Sequence, residues 1–157
     1  MPKWATSADE DQYGRWAAFE LGGQQHRMRW IEPGEFLMGS PADEPERWDD
    51  EVQHTVSLTP GFWLGEMAVS QLLWRQVIGE NPSDFKGENL PVESVSYDAI
   101  QQLFLPALNR QNPLLKACLP TEAQWEYACR AGTQTPFSFG DVLSAELANF
   151  DLSLIHI

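Results

Sequence analysis

Histidine and cysteine are scarce: the 157 residues hold three of the first and two of the second. His26, His54 and His156 lie far apart. No His-Glu-x-x-His helix, Gly-x-Ser-x-Gly elbow or Walker-type phosphate loop accompanies them, which removes the signatures of zinc proteases, serine hydrolases and P-loop enzymes. Cys118 and Cys129 fit neither a zinc spacing nor a Cys-x-x-Cys redox motif. A helix beginning near Thr121 would put Cys129 about 12 Å of rise along it, whereas bridged Cα atoms come within about 7 Å. Two thiols, at least one of them buried, are therefore expected. Positive charge is also short: 10 Lys and Arg stand against 23 Asp and Glu, for a net charge of −13. Phosphate backbones and anionic membrane surfaces are repelled by such a chain, so neither nucleic acid nor membrane is an expected partner. No run approaches the roughly 18 apolar residues of a membrane span. Met1-Pro2-Lys3-Trp4-Ala5-Thr6 leads into Asp9-Glu10-Asp11 without an apolar leader, which makes the cytoplasm the expected compartment.

What the chain has in quantity is aromatic mass, with seven Trp and eight Phe, and a 43% hydrophobic content that suffices for one compact domain. Residues 1–26 are acidic yet carry Trp4, Tyr13, Trp16 and Phe19. Disordered tails rarely hold four aromatics, so this segment is expected to dock on a domain beginning at residue 27. Met28–Ile31 and Phe36–Gly39 read as strands, with Pro33-Gly34 between them as a hairpin turn. His54, Val56 and Leu58 alternate with polar residues in a further strand, and Pro60-Gly61 turns the chain into Phe62–Gly65.

Three helices follow. Ser70 caps the first and Gly79 ends it. Ser96 or Asp98 caps the second, which runs through Leu108, and Pro106 inside it must kink it or end it early. Thr121 and Gln124 form a capping box for the third, with Glu122 and Arg130 complementing its dipole and Gly132 just past its end. Trp125, Ala128 and Cys129 share one face of that helix and are expected to point inward. Cys118, just before the helix start, has the better claim to a reactive thiol. The fold class is irregular α+β.

Carboxylates are the remaining candidates for chemistry. Asp43, Glu44, Glu46, Asp49, Asp50 and Glu51, with His54 nearby, lack the spacing and the glycine of an EF-hand calcium loop. They read as a solvated acidic loop. Glu122 and Glu126, four apart on one helix, read as surface or capping residues rather than as a catalytic dyad.

Five segments in order resemble the formylglycine-generating, sulfatase-modifying-factor family. They are Ile31–Ser40 ("P-x-G-x-F-x-M-G-S"), His54–Leu58 with Phe62–Leu64, Val77–Phe85 ("V-x-G-x-N-P-S-x-F"), Leu90–Ala99, and Leu119–Gly132, which reads Leu-Pro-Thr-Glu-Ala-Gln-Trp-Glu-Tyr-Ala-Cys-Arg-Ala-Gly. The resemblance spans roughly residues 27–151. It implies a variant of the C-type-lectin-like fold, here without its C-terminal part, and structural calcium. The founding enzymes oxidise a sulfatase cysteine to formylglycine with copper, a cysteine pair and oxygen, and relatives include sulfoxide synthases of ergothioneine synthesis. The family's copper-binding cysteines follow a "G-N-x-W-E-W" stretch that is not in this sequence, so Cys118 and Cys129 are not that pair and no catalytic residue is carried over.

Other positions depart from the family pattern. Ala68-Val69-Ser70 stands where "E-V-T/S" is usual, Cys118 replaces an arginine before Leu-Pro-Thr-Glu, and Tyr97 replaces a tryptophan. Asn149 and Phe150 resemble half of a calcium site, by side chain and carbonyl respectively. Leu152–Ile157 carries no turn or cap signal and resembles the in-frame translation of a sequencing adapter, so the natural sequence is expected to reach only Asp151 before that tail. The resemblance implies a parent protein that oxidises a protein cysteine or a small thiol with metal and oxygen, and a chain that is inactive and poorly stable alone. A non-catalytic lectin-like binding module is the alternative of a different class.

Overall fold

The computed structural model describes residues 1–45, 47–144, 146 and 147. They form two compact units, one of Met1–Glu32 with Pro60–Leu119, the other of Pro33–Thr59 with Pro120–Ile157, the latter described as far as Leu147.

The first unit is built on a four-stranded antiparallel sheet of order β1-β2-β3-β6, where β1 is Ser7–Asp11, β2 Gly14–Leu21, β3 Gln24–Ile31 and β6 Phe62–Gly65. Gly22 and Gly23 join β2 to β3, both at positive φ, as a two-residue hairpin turn requires. The boundary expected after residue 26 thus falls inside β3, and the acidic segment supplies two whole strands of the sheet. Its aromatics divide between core and solvent. Phe19 is 3% exposed in the core and Trp4 packs beside it, with its ring edge-on to Trp63, whereas Tyr13 is 76% exposed.

Helix α1 is Gln71–Ile78, with Ser70 Oγ accepting from Leu73 N and Gly79 closing the end in the left-handed conformation, as the sequence predicts. Ser96 caps the next helical run, which is α2 at Tyr97–Ala99, a π-helical stretch at Ile100–Phe104, and α3 at Leu105–Gln111. Pro106 neither ends nor breaks this run. Its ring would meet the carbonyls of the preceding turn and it has no N–H to offer them. The widened π turn sits on that N-terminal side, where Leu105 N–H bonds to Ile100 O, and α3 starts afresh with the proline in its first turn. The helices place Leu73, Trp74, Phe104, Leu105 and Leu108 against Phe19. Trp74 and Phe104 stack in parallel at 4.8 Å, a geometry worth about 1 kcal/mol beyond its burial.

The second unit has a two-stranded antiparallel sheet of β4 (Gly34–Met38) with β5 (His54–Leu58), and helix α4 (Glu122–Arg130). The Pro33-Gly34 hairpin is not formed. β3 takes β2 and β6 as its neighbours and β4 takes β5, because a strand signal on either side of a turn does not specify which edges meet. The Thr121–Gln124 capping box is present in both directions, and Ala131 and Gly132 turn the chain at positive φ. The inward face of α4 is not the expected one: Trp125 is 59% exposed and Cys129 is also exposed. Helical spacing groups Trp125, Ala128 and Cys129 on one side but carries no information on which side meets the sheet. Tyr127 decides it, packing its ring at 5.2 Å from Phe36 of β4.

Candidate functional site

The segments with chemical promise in the sequence meet in pairs, and each pair is a latch. In the second unit, Gly34 and Gly39 of β4 and its end meet α4. A Cβ on Gly34 would lie 2.2 Å from the Tyr127 hydroxyl, so any other residue there would make that ring shift. Gly39 adopts φ +87, and a Cβ there would come within 2.9 Å of the Val52 carbonyl oxygen. Its backbone is gripped from α4: Gly39 N–H donates to Glu126 Oε1 at 2.9 Å, and Arg130 Nη2 donates to Gly39 O at 2.9 Å. Arg130 Nε closes the ring on Glu126 Oε1 at 2.8 Å. Glu126 is thus a half-buried structural acceptor rather than a surface carboxylate. Sequence reasoning missed it because its partner is a backbone N–H 87 residues away. Glu126→Ala leaves that N–H and Arg130 Nε without their acceptor and is expected to cost about 1–3 kcal/mol, read as a lower urea midpoint. Glu126→Gln, which keeps the acceptor, should lose clearly less, and an equal loss would show that the bond to Gly39 contributes nothing.

The neighbouring acidic loop is also tied by its own residues. Buried Ser40 donates its hydroxyl to Glu51 Oε2 at 2.7 Å and accepts from Arg47 Nε at 3.2 Å, while Arg47 Nη2 reaches Glu51 O. Among the described residues no group of three or more His, Cys, Asp or Glu is arranged to hold a metal.

In the first unit the hub is Gln71, 2% exposed at the start of α1. Its Nε2 donates to Phe85 O at 2.7 Å and Pro91 O at 3.2 Å. Its Oε1 accepts from Asn81 Nδ2 at 2.8 Å and Gly87 N at 3.1 Å. One amide therefore shapes the whole Asn81–Pro91 loop. Buried Ser83 accepts from Glu93 N, and the Glu93 carboxylate accepts from Phe85 N at 3.0 Å and Ser94 Oγ at 2.6 Å, bonds that hold its pKa below the ordinary value. A cavity of about 460 Å³ opens beside Gln71, Leu72 and Asn81. Its cations are already engaged, Arg75 by Glu88 at 2.6 Å and Lys86 by the carbonyls of Asn81 and Ser83.

Cys118 and Cys129 are both free and exposed, one in each unit. Cys129 is not the buried thiol expected. Ala68 lies exposed in the turn between β6 and α1, beside Met67 at 82% exposure. Asn149 and Phe150, the proposed half of a calcium site, lie outside the described residues, as does the tail 152–157. No helix among the described residues is long and apolar enough to cross a membrane.

The environment of His26 shifts its titration. The ring faces Phe19 across the β2–β3 pair at 5.1 Å, its Nε2 is buried without a partner, and burial lowers its pKa from 6.5. The unfolded chain then binds more protons than the folded one as pH falls through that range. The contribution of a neutral His26 should be full well above pH 6.5 and decline on acidification below it. Thermal melts of His26→Gln should be flatter below pH 6.5, and an unchanged slope would exclude His26 as the source.

Residues 17–152 match the sulfatase-modifying factor enzyme 1-like domain family. The chaperone protein LppX of Paenibacillus barcinonensis is 32% identical over 105 residues, covering 47% of this chain and 38% of that protein. Variable protein 1 of Treponema denticola has a TM-score of 0.68 at 26% identity, over 84% of this chain and 62% of its own. PvdO from Pseudomonas aeruginosa superposes with a TM-score of 0.62 at 20% identity, over 85% of this chain and 54% of its own, a likeness of fold alone. The architecture is thus the irregular C-type-lectin-like variant of α+β class. This chain spans less than two thirds of the length of each of these proteins.

Proposed function

Because the chain belongs to the sulfatase-modifying factor enzyme 1-like family, we propose that the full-length protein oxidises a protein cysteine or a small thiol with a metal and oxygen. In this proposal the residues described here build the frame of the domain rather than its redox centre. The supporting observation is that the motifs matching the family are spent on internal latches: Gly34, Gly39, Glu126 and Arg130 in one unit, Gln71, Asn81, Ser83 and Glu93 in the other. None of these side chains is left free to act on a substrate. The test is oxygen consumption by the copper-loaded full-length protein with a cysteine-containing peptide, with mass analysis of the peptide for aldehyde or sulfoxide. Turnover of the thiol supports the proposal. A fully metallated protein that consumes no oxygen with peptide or small-thiol substrates would overturn it.

A second reading is a non-catalytic module that binds a protein or peptide. Ala68 favours it, since a carboxylate is usual there in the family resemblance, and the 32% identical relative is named a chaperone protein. Stoichiometric capture of a cysteine-free peptide, without oxygen uptake, would distinguish it from the first.

A further inference from the structure

No further inference is drawn: the strongest candidate, the exposed Trp125–Cys129 stripe along helix α4, is an unpartnered face and nothing in the structure shows what covers it.

Discussion

Gln71→Ala should lower the stability of the unit carrying α1 by about 3–5 kcal/mol, among the larger losses a single change can produce. The side chain is almost wholly enclosed and satisfies two carbonyls, one backbone N–H and the Asn81 amide at once. Truncation strands all four. Each buried group left without a partner costs about 1–3 kcal/mol, tempered where water can enter. The exposed Phe85 side of the loop allows some such entry. Gln71→Met separates volume from hydrogen bonding, because it fills the same space with no donor or acceptor for those partners. If the hydrogen bonds dominate, both variants fall by similar amounts in urea unfolding followed by tryptophan fluorescence. Near wild-type stability in Gln71→Met would show that packing, not polarity, holds the loop. Asn81→Ala breaks only part of the set and should cost about 1 kcal/mol.

Gly39→Ala is expected to destabilise the unit of β4, β5 and α4 by about 2–5 kcal/mol, from two sources that add. The left-handed backbone costs a side chain about 1–2 kcal/mol. Overpacking against a neighbour that cannot yield costs about 1–3 kcal/mol more. Here that neighbour is backbone: the carbonyl oxygens of Val52 and Glu51 would lie 2.9 and 3.1 Å from the new methyl. Moving Gly39 away instead would pull its N–H and C=O from Glu126 and Arg130. Gly132→Ala is the control. It has the same sign of φ, +88, but nothing within 4 Å of its added Cβ, so only the conformational term of about 1–2 kcal/mol applies. Equal losses at the two positions, measured by thermal and urea melts of the whole chain, would remove the close approach from the argument.

Local signals in this sequence are accurate wherever the interaction is itself local. Ser70 and Gly79 bound α1 because a hydroxyl three residues from an N–H, and a glycine that tolerates positive φ, act within one turn. The Thr121–Gln124 capping box works for the same reason. The family resemblance was legible too, since it rests on the order of short motifs, and the match over residues 17–152 extends it ten residues toward the N-terminus of the expected boundary at 27. The motifs did not disclose their own purpose. Glu126 reads as one of two carboxylates four apart on a helix, and only its approach to Gly39 makes it a latch.

By itself, then, the sequence determined the ends of α1 and α4, the class, the family and the absence of a recognisable catalytic motif, all properties set by neighbours along the chain. Tertiary structure alone decided that β3 and β4 join different sheets, that Pro106 is absorbed by a π turn, and that α4 turns Tyr127 rather than Trp125 inward. Those outcomes depend on which surfaces compete for burial across tens of residues. Periodicity specifies that a face exists, and the packing energy of a distant partner specifies where it points.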